Sequence, residues 1–113
     1  MATITADVNH LKKGIIEVVW AHMASGDVGS TVYMYDYPNK MVVVRGNQGG
    51  GSGIYLKGTD SADTSSPTGW GLAYGNALNV GATVSLSLNL AKIVPQVISG
   101  DGSTDITVAI LAW

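Results

Sequence analysis

MVVVRGNQGGGSGIYLKGTD, residues Met41 to Asp60, sets two β-prone runs on either side of a glycine-rich connector. Met41 to Arg45 is nearly solid Val, with none of the polar gaps that a helical period would leave. Gly53 to Lys57 alternates, with Ile54 and Leu56 on one side and Tyr55 and Lys57 on the other, the pattern of a strand with one buried face. Between them lie Gly49, Gly50, Gly51 and Gly53 around Ser52, and nothing in that connector could anchor a core. The sequence therefore predicts a hairpin joined by a long, mobile, solvent-facing loop that tolerates insertions. Five or more other short strands must pack around the pair to bury it.

Upstream, Gly14 to Met23 (GIIEVVWAHM) reads as a strong strand. Ile16, Val18, Trp20 and His22 face one way; Ile15, Glu17, Val19, Ala21 and Met23 face the other. Both faces are mostly apolar, which places the strand centrally or under cover on both sides. Trp20 is the expected core aromatic, and its indole N–H then needs a buried acceptor. Before it, Ile4, Ala6 and Val8 share one side of a weak alternation, an edge strand or an extended arm. Asn9 to Lys13 fits a single helical turn closed by Gly14. The expected organisation is an arm or edge strand over 1–13 and one sandwich domain over 14–113. After the Ala24 to Gly29 turn, Ser30 to Tyr37 reads as another strand, with Val32 and Met34 opposite Tyr33, Tyr35 and Tyr37. Those tyrosines are either half-buried packing residues or an amphipathic patch suited to a protein interface or a sugar.

Downstream, Gly58 to Gly69 is a long polar loop, and Trp70 and Leu72 are expected to cap the sandwich. Ala82 to Leu90 carries the cleanest alternation: Val84, Leu86, Leu88 and Leu90 in, Thr83, Ser85, Ser87 and Asn89 out. That outer face has none of the lysines that discourage strand pairing, so a partner is expected to cover it. Ile93 to Ser99 contains Pro95, which puts it at an edge or on a bulge. Asp105 to Trp113 closes the chain, its last Trp folding back or anchoring a neighbour. The sum is about eight strands in an all-β, antiparallel, jelly-roll-like β-sandwich.

The chain has 113 residues, the size of one domain, with 46% hydrophobic and only 12% charged residues. An average domain has about 25% charged residues, so this surface is unusually neutral, of the kind that subunit partners cover. A net charge of −2 offers no basic stripe for nucleic acid. No run approaches the ~18 apolar residues of a membrane span. The N-terminus has no signal-peptide core, so synthesis in a host cytoplasm is expected. With no cysteine there is neither a disulfide scaffold nor a thiolate site.

No catalytic constellation emerges, and neither an enzyme nor a cofactor is expected. His10 and His22 are the only histidines, and no carboxylate stands at a ligand spacing from them, so no metal is expected. Asp60/Asp63 and Asp101/Asp105 read as turn-forming aspartates rather than a Ca²⁺ loop. NQGGGSG lacks the Lys-Ser/Thr of a phosphate loop, no serine sits in a G-x-S-x-G elbow, and Glu17 is the only glutamate.

The ordered motifs do carry a resemblance. A Tyr-Pro-Asn turn (Tyr37 to Asn39), a VVVRG strand, the Gly-rich loop and a strand ending in KGTDS come first. Trp70, a Gly-Asn-Ala-Leu turn (Gly75 to Leu78) and the closing IVPQVISGDGSTDITV run follow. Together they resemble small structural proteins of tailed bacteriophages and prophages over roughly residues 20 to 111. Trp20 with Gly26-Asp27 matches a Trp…Gly-Asp element of that group, and Pro95 to Val108 is the most specific piece. Val94 and Ser103 depart from its usual Arg and Thr.

The resemblance implies a virion component with a β-sandwich fold, a decoration or cement protein on the capsid exterior. Its partners would be the major capsid protein and a second or third copy of itself, without nucleic acid or membrane. No functional residue carries over from the group. From the residues themselves, Ile4, Tyr33, Tyr35, Tyr37 and Trp113 are the expected interface positions. A tail or baseplate protein, or a carbohydrate-binding module stacking sugars on the tyrosines and Trp70, are the alternatives.

Overall fold

Period-two apolar alternation recurs along the whole chain, and the computed structural model, which describes residues 2–87 and 89–113, folds it into two packed sheets. The strands are β1 (Thr3–Ile4), β2 (Asp7–Lys12), β3 (Ile15–Met23), β4 (Val28–Gly29), β5 (Val32–Tyr33), β6 (Lys40–Asn47), β7 (Gly53–Thr59), β8 (Gly71–Leu72), β9 (Thr83–Leu86), β10 (Lys92–Ser99) and β11 (Asp105–Ala112). Four of these eleven are two-residue pieces, so the longer strands come close to the eight expected from sequence. One turn of 3₁₀ helix, Pro67–Gly69, is the only helix among the described residues.

The first sheet runs β1-β4-β10-β7-β8, with β5 also on β10; the second runs β2-β3-β11-β6-β9. Every pairing is antiparallel except β1 with β4. The chain crosses between sheets at most connections, as in jelly rolls. Between the sheets lies one continuous apolar core that includes Trp20, Met34, Val42, Leu56, Ile93 and Ile110, each 0% exposed.

Trp20 holds the centre as expected, and its Nε1 donates to the Ser30 carbonyl at 3.0 Å. The chain passes close over the indole at Gly29, where an added Cβ would stand 2.6 Å from Nε1 and 2.7 Å from Pro95 Cδ. Only glycine permits that approach.

The defining stretch is not a hairpin. β6 lies in the second sheet, paired over its whole length with β11, whereas β7 lies in the first sheet between β10 and β8. The glycine-rich connector is the crossing between sheets; Gly49, Gly50 and Ser52 are exposed as expected, but the crossing is fastened rather than loose, and Gly51 and Gly53 pass close to other backbone. A Cβ on Gly51 would meet the Ser99 carbonyl oxygen at 2.0 Å, and one on Gly53, at φ 88°, would meet that of Leu78 at 2.2 Å. Gln48 fastens the crossing: its Nε2 donates to Gly51 O and Asn79 Oδ1, and its Oε1 accepts from the Val80 N–H.

Other local expectations shift for similar reasons. Asn9 to Lys12 continues strand β2, not a helical turn, and Gly14 at φ 81° closes the hairpin into β3. A bulge interrupts β3: Trp20 opposes Val108 and Met23 opposes Ile106, so Ala21 and His22 together face Thr107. The extra residue reverses the phase, leaving His22 exposed at φ 58° and Met23 fully buried. The strand expected over Ser30 to Tyr37 shrinks to β5, and a turn begins after Met34. Pro95 sits in a central strand, not at an edge. Its neighbour on one side is broken into β5, which pairs Lys92 and Ile93, and β4, which pairs Gln96, so no ladder partner faces the missing N–H. In the long alternating stretch β9 covers only Thr83–Leu86, Leu86 is buried and Leu90 packs on the core; Leu88 lies outside the described residues.

Candidate interaction surface

The outer faces of the two sheets differ, and that difference defines the candidate surface. Outside the first sheet, Val28, Val94 and Trp70 form a small separate apolar cluster under the Asp60–Trp70 loop. Two lysines hold the loop down by its carbonyls: Lys57 Nζ donates to Thr68 O at 2.6 Å and Lys92 Nζ to Asp63 O at 2.5 Å. The Lys92 ammonium also lies 5.6 Å from the Tyr33 ring centroid and 5.9 Å from that of Trp70, within cation–π range. Trp70 Nε1 donates to Ser65 O, which completes the cover.

Within that loop Asp63 accepts from the Ser65 hydroxyl and N–H and from the Thr59 hydroxyl. These bonds, the Ser65 hydroxyl first, lower its pKa to about 2. Asp101 caps its own turn in the same way. The hydroxyl and N–H of Ser103 and the N–H of Gly50 hold its carboxyl below the usual range. Both aspartates are thus turn formers, each satisfied by its own loop or the adjacent crossing.

Outside the second sheet there is no comparable cover. β3, β11 and β6 each turn a second, largely apolar file outward, and Ile15, Val19, Met41, Val43 and Leu111 on it are all partly buried. Register aligns them in rows: Glu17, Leu111, Met41 and Ser85 in one, Val19, Ala109, Val43 and Thr83 in the next, Thr107 and Arg45 in the third. Small Ala109 among larger neighbours leaves a shallow hollow of about 210 Å³, lined by Glu17, Met41, Val43, Arg45, Ala109 and Leu111. Trp113, 44% exposed, is the next outward position beyond Leu111, and its backbone is doubly bonded to Asn39.

The expected interface residues fall into two groups. Tyr33 and Tyr35 are 60% and 55% exposed, and with Trp113 they offer exposed aromatic surface. Ile4 and Tyr37 are partly buried against the chain's own core. Because β5 ends at Tyr33, the tyrosines form no continuous ladder; Tyr35 lies on the connection that leads to the Asn39–Trp113 pair. From sequence only one edge of this face was singled out, the Thr83 and Ser85 side of β9 that a partner was expected to cover; the apolar files of β3, β11 and β6 beside it were not, although their signals were there in the apolar residues on both faces of β3 and the unbroken Val run in β6.

Among chemically active groups, His22 Nδ1 lies 3.0 Å from Asp105 Oδ1 in an exposed pair at the β3 bulge. Lys40 is buried, and desolvation lowers its pKa; its ammonium donates to the Tyr37 carbonyl. Among the described residues no group of three or more His, Asp or Glu could hold a metal ion, and no helix is long and apolar enough to cross a membrane.

No family model matches the chain, and no curated protein matches it. Among solved structures it is similar to the SPBc2 prophage-derived protein YomS, with a TM-score of 0.61 at 16% identity over 92% of this chain and 98% of that one. The two share a fold from end to end. KdgF from Halomonas sp. aligns with a TM-score of 0.39 at 12% identity over 94% of this chain and 84% of that one, too distant to carry an argument.

Proposed function

We propose that this chain is a structural component of a bacteriophage virion, a capsid decoration or cement protein without catalytic activity that bridges major capsid protein subunits on the shell exterior. The observation that carries this is the surface. Tyr33 and Tyr35 stand exposed at one end of the first sheet and Trp113 at the end of β11, while polar side chains are spent on fastening loops; these aromatics are the shell contacts the reading requires. The phage-like motif order supports it, as does a fold shared with a prophage-derived protein. A cement protein needs many copies of a modest interface, because multivalent attachment raises avidity without new chemistry.

A sugar platform of the three tyrosines and Trp70 is less well supported, because Trp70 is only 6% exposed beneath its own loop and the tyrosines form no continuous ladder. A tail or baseplate position would use the same kind of surface and is distinguished by copy number. The test is thermal: shells of the parent phage prepared with and without this chain are heated while DNA release is followed. Decorated shells should open at the higher temperature, and equal opening temperatures would contradict cement function.

A further inference from the structure

We infer that the outer face of the second sheet is where a second copy of this chain docks, with Glu17 of each copy facing Arg45 of the other. The contrast between the two faces is the first argument. The chain lays its own cover, the lysine-pinned Asp60–Trp70 loop, over part of the first sheet, and lays nothing comparable over the second, where three strands turn partly exposed, largely apolar files outward. A contiguous apolar patch left partly open to solvent is what a partner surface would cover.

Charge placement identifies the occupant. Glu17 lies opposite Leu111 on one flank of β11, and Arg45 lies opposite Thr107 on the other, so Ala109 falls midway between them. Strand spacing and rise put the two charges about 17 Å apart across the face. Among the described residues neither makes an ion pair within its own chain. A two-fold axis lying in the plane of contact, passing over Ala109 and perpendicular to the line joining the two charges, exchanges their positions. It therefore sets Glu17 on Arg45 twice, once at each end of a shared apolar patch, with the smallest side chain at the centre where the backbones come closest. A self-complementary patch of this sort is the requirement of a two-fold interface.

Size is consistent with such a contact. Five strands of four to nine residues give a face of roughly 550 Å² per copy, near the lower bound for a specific interface. Trp113 extends the patch along the β11 file. This inference does not depend on where in a particle the chain sits.

Sedimentation equilibrium on the purified full chain tests it, with thermal melts to show that each variant is folded. The wild type should dimerise, and Glu17→Arg or Arg45→Glu alone should weaken dimerisation roughly tenfold or more by setting like charges together. An equimolar mixture of the two single variants should dimerise again, because both contacts between unlike variants then pair opposite charges. A monomeric wild type would overturn the inference. So would association that ignores either charge reversal, or a mixture no better than its components.

Discussion

Gly53 fixes the start of β7, at φ 88° with the Leu78 carbonyl oxygen 2.2 Å from where a Cβ would stand. Gly53→Ala combines backbone strain with a clash against main chain, and should cost more than about 2 kcal/mol in urea denaturation. Asp63 gives a prediction in pH. Its carboxyl sits at about 2 in the fold, below the ordinary 3.8, so its contribution is present in full above the ordinary value and fades as pH falls toward 2. NMR titration should place it there, and Ser65→Ala, which removes the main cause, should return it toward the ordinary value. At this scale sequence reading succeeded where a residue's type determines its place. Trp20 had to be central and had to find an acceptor. His22 and Met23 were assigned to the wrong faces because the bulge that swaps them is set by register against β11, 85 residues away at the Thr107 contact to the His22 N–H.

Strands were legible from alternation, but their partners were not. β6 and β7 adjoin in sequence with a glycine-rich connector between them, which is what a hairpin looks like. Nothing local reveals that β6 finds β11 and β7 finds β10. The connector therefore had the composition of a loose loop while forming a fastened crossing with an exposed tip, with Gly50 N–H donating to Asp101 and the Thr104 hydroxyl donating to Gln48 O. Inserting two residues between Gly50 and Gly51 should accordingly lower Tm by roughly 5 °C or more, measured by calorimetry. An unchanged Tm would mean that these contacts do not hold the crossing. The Asp60–Trp70 loop was legible as long and polar. That it covers a sheet depends on Lys57 and Lys92 lying on one outer face, which only the β7–β10 pairing establishes.

For the molecule as a whole, a cysteine-free chain with this alternation could hardly be anything but a β-sandwich, and it is one. The N-terminal segment is less separable than an arm would be. β1 joins the first sheet, β2 the second, Ile4 and Ala6 pack on the core, and Ala2 N–H donates to Asp27. Deleting residues 2–9 should cost about 2–4 kcal/mol of folding stability, seen as a Tm lower by roughly 10–20 °C, so any loss of attachment would come with a weakened fold. The interaction surface was half legible. Exposed aromatics could be read residue by residue, but an apolar sheet face exists only once β3, β11 and β6 are side by side. Cryo-electron microscopy of virions from the parent phage, with this fold sought in the density, would decide whether the chain is a shell component. Copies repeated across the capsid exterior, in contact with the shell subunits, are the predicted result. Density confined to the tail, or none in the particle, would contradict it.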